Sequence, residues 1–305
     1  MRRDLTARMT GIAPIALLAS IAAATGAFGA PVVDPGAKAA TRVGASSDQP
    51  LGNSAVLRAL DNEVTAARDT AHPMQYRLRK SSPRLTTTKQ MIETRDGLVA
   101  LLIAVNDAPP SADDEKKDQD RLDGLLSDPG KQEHRKQSEN ADTARAMKVL
   151  RALPKAFLYQ DAGPYASPAG PVERYTFTPN PKFNAPDLET QVLTQMTGEI
   201  WVDPAHLRVV HLEGHLENDV DFGWGVLGRL YKGGSVAIDQ ADIGGGVWRI
   251  THFKMTMSGR VLFKTRSFDT TEEQTHFAPV SGGLDYKQAI QMLRDSQKGL
   301  VSDSR

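Results

Sequence analysis

The stretch GEIWVDPAHLRVVHLEGHL, residues 198–216, decides the fold because it can be read in two ways. His211 and His215 stand four apart around Glu213, close to the zinc-hydrolase motif in which two histidines and a glutamate share one face of a helix. That motif places its glutamate directly after the first histidine. Here Leu212 follows His211, and Gly214 sits where a helix would be weakened. Read as a strand, Val210, Leu212, Gly214 and Leu216 face one way, while His211, Glu213, His215 and Glu217 face the other. Asp203-Pro204 makes a turn between this strand and the one before it, at 199–203. The stretch therefore predicts sheet with one apolar and one polar face. The row His211, Glu213, His215 keeps two readings open. It is either a set of imidazole and carboxylate groups for a divalent cation, as in an exported metal-dependent hydrolase, or a polar face in water.

Working outward, further strands are expected at 156–160, 172–178, 236–240, 247–257 and 260–268, with turns at Gly244-Gly245-Gly246 and Ser258-Gly259. Such short connections make an antiparallel meander. Upstream, Met74, Tyr76 and Leu78 alternate with Gln75, Arg77 and Arg79, the pattern of a half-buried strand. Segments 85–94 and 97–105 flank Arg95-Asp96-Gly97, a hairpin signal, and the second arm, apolar on both faces, fits a central strand, with a buried helix as the other reading of its periodicity. Helices are expected at 54–70, capped by Asn53 or Ser54, at 111–126, from Asp128-Pro129 to about 153, and at 285–295, where Asp285 and Gln288 have capping-box spacing. The fold class is α+β. Residues of about 74–105 and 156–278 form one strongly curved antiparallel sheet, an incomplete β-barrel covered by helices, with 111–153 as a charged helical insertion.

The chain has 305 residues, no cysteine, and 37 basic against 37 acidic side chains. Disulfides, thiolate metal sites, a cysteine nucleophile and a lipid-bearing N-terminal cysteine are thereby excluded. The charge balance offers a nucleic acid no global field, and no nucleic-acid partner is expected. Arg2, Arg3 and Arg8 ahead of the apolar segment 11–28 have the form of a secretory signal peptide, 1–29, ending in Ala27-Phe28-Gly29. An uncleaved anchor is the other reading, and the Ala/Gly content of the segment argues against it. Residues 30–53 lack large apolar side chains and read as a flexible tether. A single domain at 54–300, periplasmic or otherwise exported and without a membrane span after the leader, is the resulting expectation.

The hexapeptide GWGVLG, 223–228, matches the dinucleotide fingerprint by letter, but 229–234 is too short and glycine-rich for the helix that would receive a pyrophosphate. It reads instead as a mobile loop carrying Trp224 at a cavity mouth, or as glycines that let Trp224 pack closely on a strand. There is no Gly-x-Ser-x-Gly elbow and no P-loop. In 247–257, Phe253, Met255 and Met257 lie on one face with Val247, and Trp248 and Ile250 lie on the other. Both faces of the late strands are therefore expected to meet apolar surroundings, one against helices and the other along a hollow or a second core layer. The expected function is non-catalytic binding of an apolar or amphiphilic ligand by Trp201, Trp224, Trp248, Phe253, Met255 and Phe263, with no cofactor or metal. The run His134-Arg135-Lys136 is interleaved with Glu133, Glu139 and Asp142 and reads as a solvated helix face. A third reading makes the 111–153 helices a docking element for another envelope protein.

Residues 198–204 with Arg208 to Glu213 are similar to the strand, Asp turn and following strand of the periplasmic lipoprotein carriers of the LolA/LolB-like superfamily. Val261 to Arg266 and Thr275 to Pro279 resemble that family's last strands. The resemblance covers about 187–280, and 53–105 more loosely. It implies a curved, incomplete barrel with an apolar concavity for acyl chains, and no catalytic residues. The 111–153 helices have no counterpart in it, and a chain without cysteine departs from the lipid-anchored branch.

Overall fold

The computed structural model describes residues 54–222, 228–261 and 264–302. It begins with α1, Ser54–Ala66, followed by β1, Met74–Ser82, β2, Leu85–Thr94, and β3, Gly97–Val105. Two long helices, α2, Ala112–Ser127, and α3, Pro129–Ala156, lead to β4, Phe157–Ser167, and β5, Gly170–Pro179. A short α4, Leu188–Gln191, precedes β6, Met196–Asp203, and β7, Arg208–Leu216. A small pair follows, β8, Val220–Phe222, with β9, Gly228–Leu230, and then β10, Ser235–Asp242, β11, Trp248–Val261, and β12, Lys264–Pro279. The closing helix is α5, Tyr286–Ser302, and its expected capping box is present: Asp285 Oδ1 accepts from Gln288 N–H at 2.8 Å and Gln288 Oε1 accepts from Asp285 N–H at 3.0 Å.

The main path of the sheet runs β3-β2-β1-β12-β11-β10-β7-β6-β5-β4, antiparallel throughout and open at both ends. Two meanders, β1–β3 and β4–β12, are thus joined along β1 and β12. On one face, here the inner face, α1 and the C-terminal half of α3 cover the main core. Val56, Ala59 and Leu60 of α1 and Val149, Leu150 and Leu153 of α3 meet Ile200, Val236, Phe253 and Met255 of the sheet. Glu63 pins α1 there, accepting from Arg208 at 2.8 and 2.9 Å and from Val209 N–H at 3.0 Å. On the outer face, α2 and α5 cover only the β2–β3 end, where Leu122, Leu125, Ile290 and Leu293 pack on Ile92, Val99 and Leu101.

Three expectations change. The strand β3 stands at the sheet's edge, not its centre, although its sequence is apolar on both faces. Its exposed backbone is closed by charged side chains of the helical hairpin. Leu98 N–H donates to Glu139 Oε2 at 3.0 Å and Leu102 N–H to Asp118 Oδ2 at 2.9 Å. The carbonyls of Asp96 and Leu98 accept from Arg135, and that of Ala100 accepts from Arg121. Arg135 is therefore a half-buried edge cap and no part of a solvated face, its side chain 18% exposed.

The second change is in β11. Asp239 pairs with His252 but Gln240 with Ile250, leaving Thr251 as an extra residue. This bulge reverses the alternation, so Trp248 and Ile250 come to the same side as Phe253. The apparently two-faced strand is one-faced. Third, Ser258-Gly259 is no turn, because β11 continues to Val261. Gly259 is there for close approach: a Cβ on it would lie 2.5 Å from the Arg229 carbonyl oxygen of β9.

Candidate functional site

The stretch at 198–216 folds as the sheet reading requires, into β6 and β7 joined through the Asp203 turn, where Asp203 Oδ1 accepts from Ala205 and His206 N–H at 2.7 and 3.0 Å. Gly198 and Gly214 are cross-strand partners, and the Phe177 ring occupies the space their missing side chains leave. His211 faces outward and belongs to a continuous cross-strand rung: Arg174, Trp201, His211, Asp239, His252, Glu273, Arg79. Three neighbouring pairs on it touch. The Trp201 and His211 rings are 4.2 Å apart, His211 Nδ1 lies 2.6 Å from Asp239 Oδ1, and Arg79 Nη1 lies 3.3 Å from Glu273 Oε2. Burial opposes charge on His211, but Asp239 and Glu213 outweigh it and raise its pKa.

This rung does not bring His211, Glu213 and His215 together as a cation site. Four residues along an extended strand separate His211 from His215 by roughly 13 Å, and each histidine takes its own acid, Asp239 for His211 and Glu217, at 3.0 Å, for His215. Among the described residues no group of three or more histidine, aspartate or glutamate side chains converges to hold a metal ion.

The six residues expected to hold a ligand do not line one surface. Phe253 and Met255 are wholly buried in the main core beneath α1 and α3. Trp201 stands on the opposite face, in the rung beside Tyr165 and His211. Trp248 lies on the inner side beyond the bulge, under the Arg208 guanidinium at 5.3 Å and beside His206. Trp224 and Phe263 lie outside the described residues.

A different patch combines apolar and charged groups. On the inner face of β1 and β2, Tyr76, Leu78 and Met91 are buried, with Leu98, Ala100 and Phe277 packed around them and no helix residue in the cluster. The main core and the outer β2–β3 cluster, by contrast, both have apolar helix residues over them. Charged groups adjoin the patch on the same face. Lys80 Nζ lies 2.7 Å from Glu272 Oε1, Glu272 is 2% exposed, and its Oε2 is buried without a hydrogen-bond partner. Lys89 stands opposite Leu78 on one side and Leu102 on the other. At the far end Glu93 accepts from Met74 N–H at 3.0 Å, and burial raises its pKa against the pull of Arg249.

This patch was legible in part. In β1 Lys80 continues the phase of Met74, Tyr76 and Leu78, and in β2 Lys89 and Glu93 share the phase of Met91. A charge on the buried phase of a strand was the signal.

No family model matches the chain, and no curated protein matches it. A solved structure described as an outer membrane lipoprotein-sorting protein domain from Vibrio parahaemolyticus is similar over 78% of this chain and 99% of its own, at 11% identity and a TM-score of 0.27. A score of that size does not establish a common fold.

Proposed function

We propose that the protein is an exported, non-catalytic binding protein of the cell envelope whose ligand is amphiphilic, a lipid or the acyl chain of a lipoprotein. The observation that carries this reading is the partly exposed apolar surface of Leu98, Ala100 and Phe277, which packs on the buried Tyr76, Leu78 and Met91 with no helix residue in the cluster and with charged side chains on the same face. An acyl chain gains by covering such a surface, at about 25 cal/mol per Å² of apolar surface removed from water, while its polar end needs charged or hydrogen-bonding groups beside it. The reading takes 1–29 as an export leader, 30–53 as a tether and 54–300 as one working domain with 111–153 inserted. Among the described residues no helix is long and apolar enough to cross a membrane.

An acyl chain carrying a photoactivatable diazirine tests this. Irradiation of the complex should label peptides containing residues 98–102 and 277. Labelling confined to the outer rung around Trp201, or no complex at all, overturns the reading.

A further inference from the structure

We infer that the ligand's polar end is anionic and is held by Lys89, an inference that rests on the amphiphile reading above. Lys89 lies on the inner face in register with Leu78 and Leu102, and so at the margin of the partly exposed apolar strip Leu98, Ala100 and Leu102, which stands beside the buried Tyr76, Leu78 and Met91. The charges around it are Lys80, Arg121 and Asp118. Each of these is already committed. Lys80 is paired with Glu272 Oε1. Arg121 lies 2.8 Å from Asp118 Oδ1 and also donates to the Ala100 carbonyl. The other Asp118 oxygen takes the Leu102 N–H.

That leaves three cations, Lys80, Lys89 and Arg121, against two carboxylates, Glu272 and Asp118, and the cation without a partner of its own is Lys89. Among the described residues its ammonium makes no hydrogen bond or ion pair. A half-buried ammonium in that state is costly to the fold. Burial first, and then Arg121 and Lys80, push its pKa down. A carboxylate or phosphate placed there would supply the missing charge while its chain runs over the partly exposed Leu102, Ala100 and Leu98 of β3.

The test compares three ligands in detergent-free competition assays with the full chain: palmitate, phosphatidylglycerol and the neutral palmityl alcohol. The wild type should prefer one or both anions over the alcohol by about tenfold or more, since tenfold is only 1.4 kcal/mol. Palmitate alone assigns the site to a carboxylate, and phosphatidylglycerol alone assigns it to a phosphate headgroup. Lys89→Met should abolish the preference but still bind the alcohol, and Lys89→Arg should keep it. The ligand-free Lys89→Met protein should melt no lower than the wild type, because the variant removes a charge with no partner. Equal binding of anions and alcohol by the wild type, or an undiminished preference in Lys89→Met, overturns this inference and leaves the amphiphile reading standing. Failure of all three ligands to bind overturns both.

Discussion

The two edges of the sheet meet the same hazard by opposite means. An edge strand presents unpaired N–H and C=O groups and invites another chain to pair with it. β3 is apolar on both faces, and helices α2 and α3 bring Asp118, Arg121, Arg135 and Glu139 to its backbone groups. β4, at the other end, protects itself. Its register with β5 shifts between Asp161 and Gly163, where Asp161 Oδ1 takes the Gly163 N–H at 2.7 Å, and Pro164 follows with no N–H to offer. α3 connects these two solutions. Its 28 residues, about 42 Å long, begin at the β3 edge and end where β4 starts. The contrast explains why α3 is polar in its first half and apolar in its second: the first half bonds a strand's edge, and the second covers a core.

The largest effect should come from breaking the supplied cap. Arg135→Ala strips the Leu98 and Asp96 carbonyls and leaves Glu139 without its cation, so unfolding in urea should show a loss of about 3 kcal/mol. A loss below about 1 kcal/mol would mean that water caps the edge equally well.

A smaller effect concerns Glu139 and pH. Burial raises its pKa above the unfolded value of about 4.3, although Arg135 and the Leu98 N–H both lower it. The folded state therefore keeps the proton to higher pH than the unfolded chain does. Stability from this group falls as pH climbs from the unfolded pKa through the raised one, no faster than about 1.4 kcal/mol per pH unit. The difference in stability between wild type and Glu139→Gln, followed over that range, should show this slope. A flat difference would place Glu139 in water.

The smallest change in stability, within about 0.5 kcal/mol, is expected for Pro164→Val on β4. Sedimentation velocity should nevertheless show more self-association than in the wild type, because the edge regains an N–H. If association is unchanged, the bulge alone protects that edge.

Much of the fold can be read locally. The Asp96-Gly97 hairpin, the Ser111 and Asp128 caps, the Asp285 box and the alternation in 211–216 each depend on residues within a few positions of one another. Alternation also separated His211, Glu213 and His215 from the core face. It failed at the start of β7, where the register with β6 shifts and Val209 enters the main core, and in β11, where one extra residue, Thr251, returns Trp248 and Ile250 to the side of Phe253. A bulge is an event between two strands, and the sequence of one strand does not record it.

The amino-acid sequence by itself determined most of the elements, their caps and the phase of the strands that carry no bulge, because these follow from backbone geometry and nearest neighbours along the chain. Only the tertiary structure decided which strands stand at the edges, which charges of 111–153 face a strand, and which lysine lacks a partner. Lys80 and Lys89 share the buried phase of their strands, yet Glu272, nearly two hundred residues away, satisfies the first and nothing described satisfies the second. Charge compensation inside a protein acts across space, so the chain's order cannot assign it.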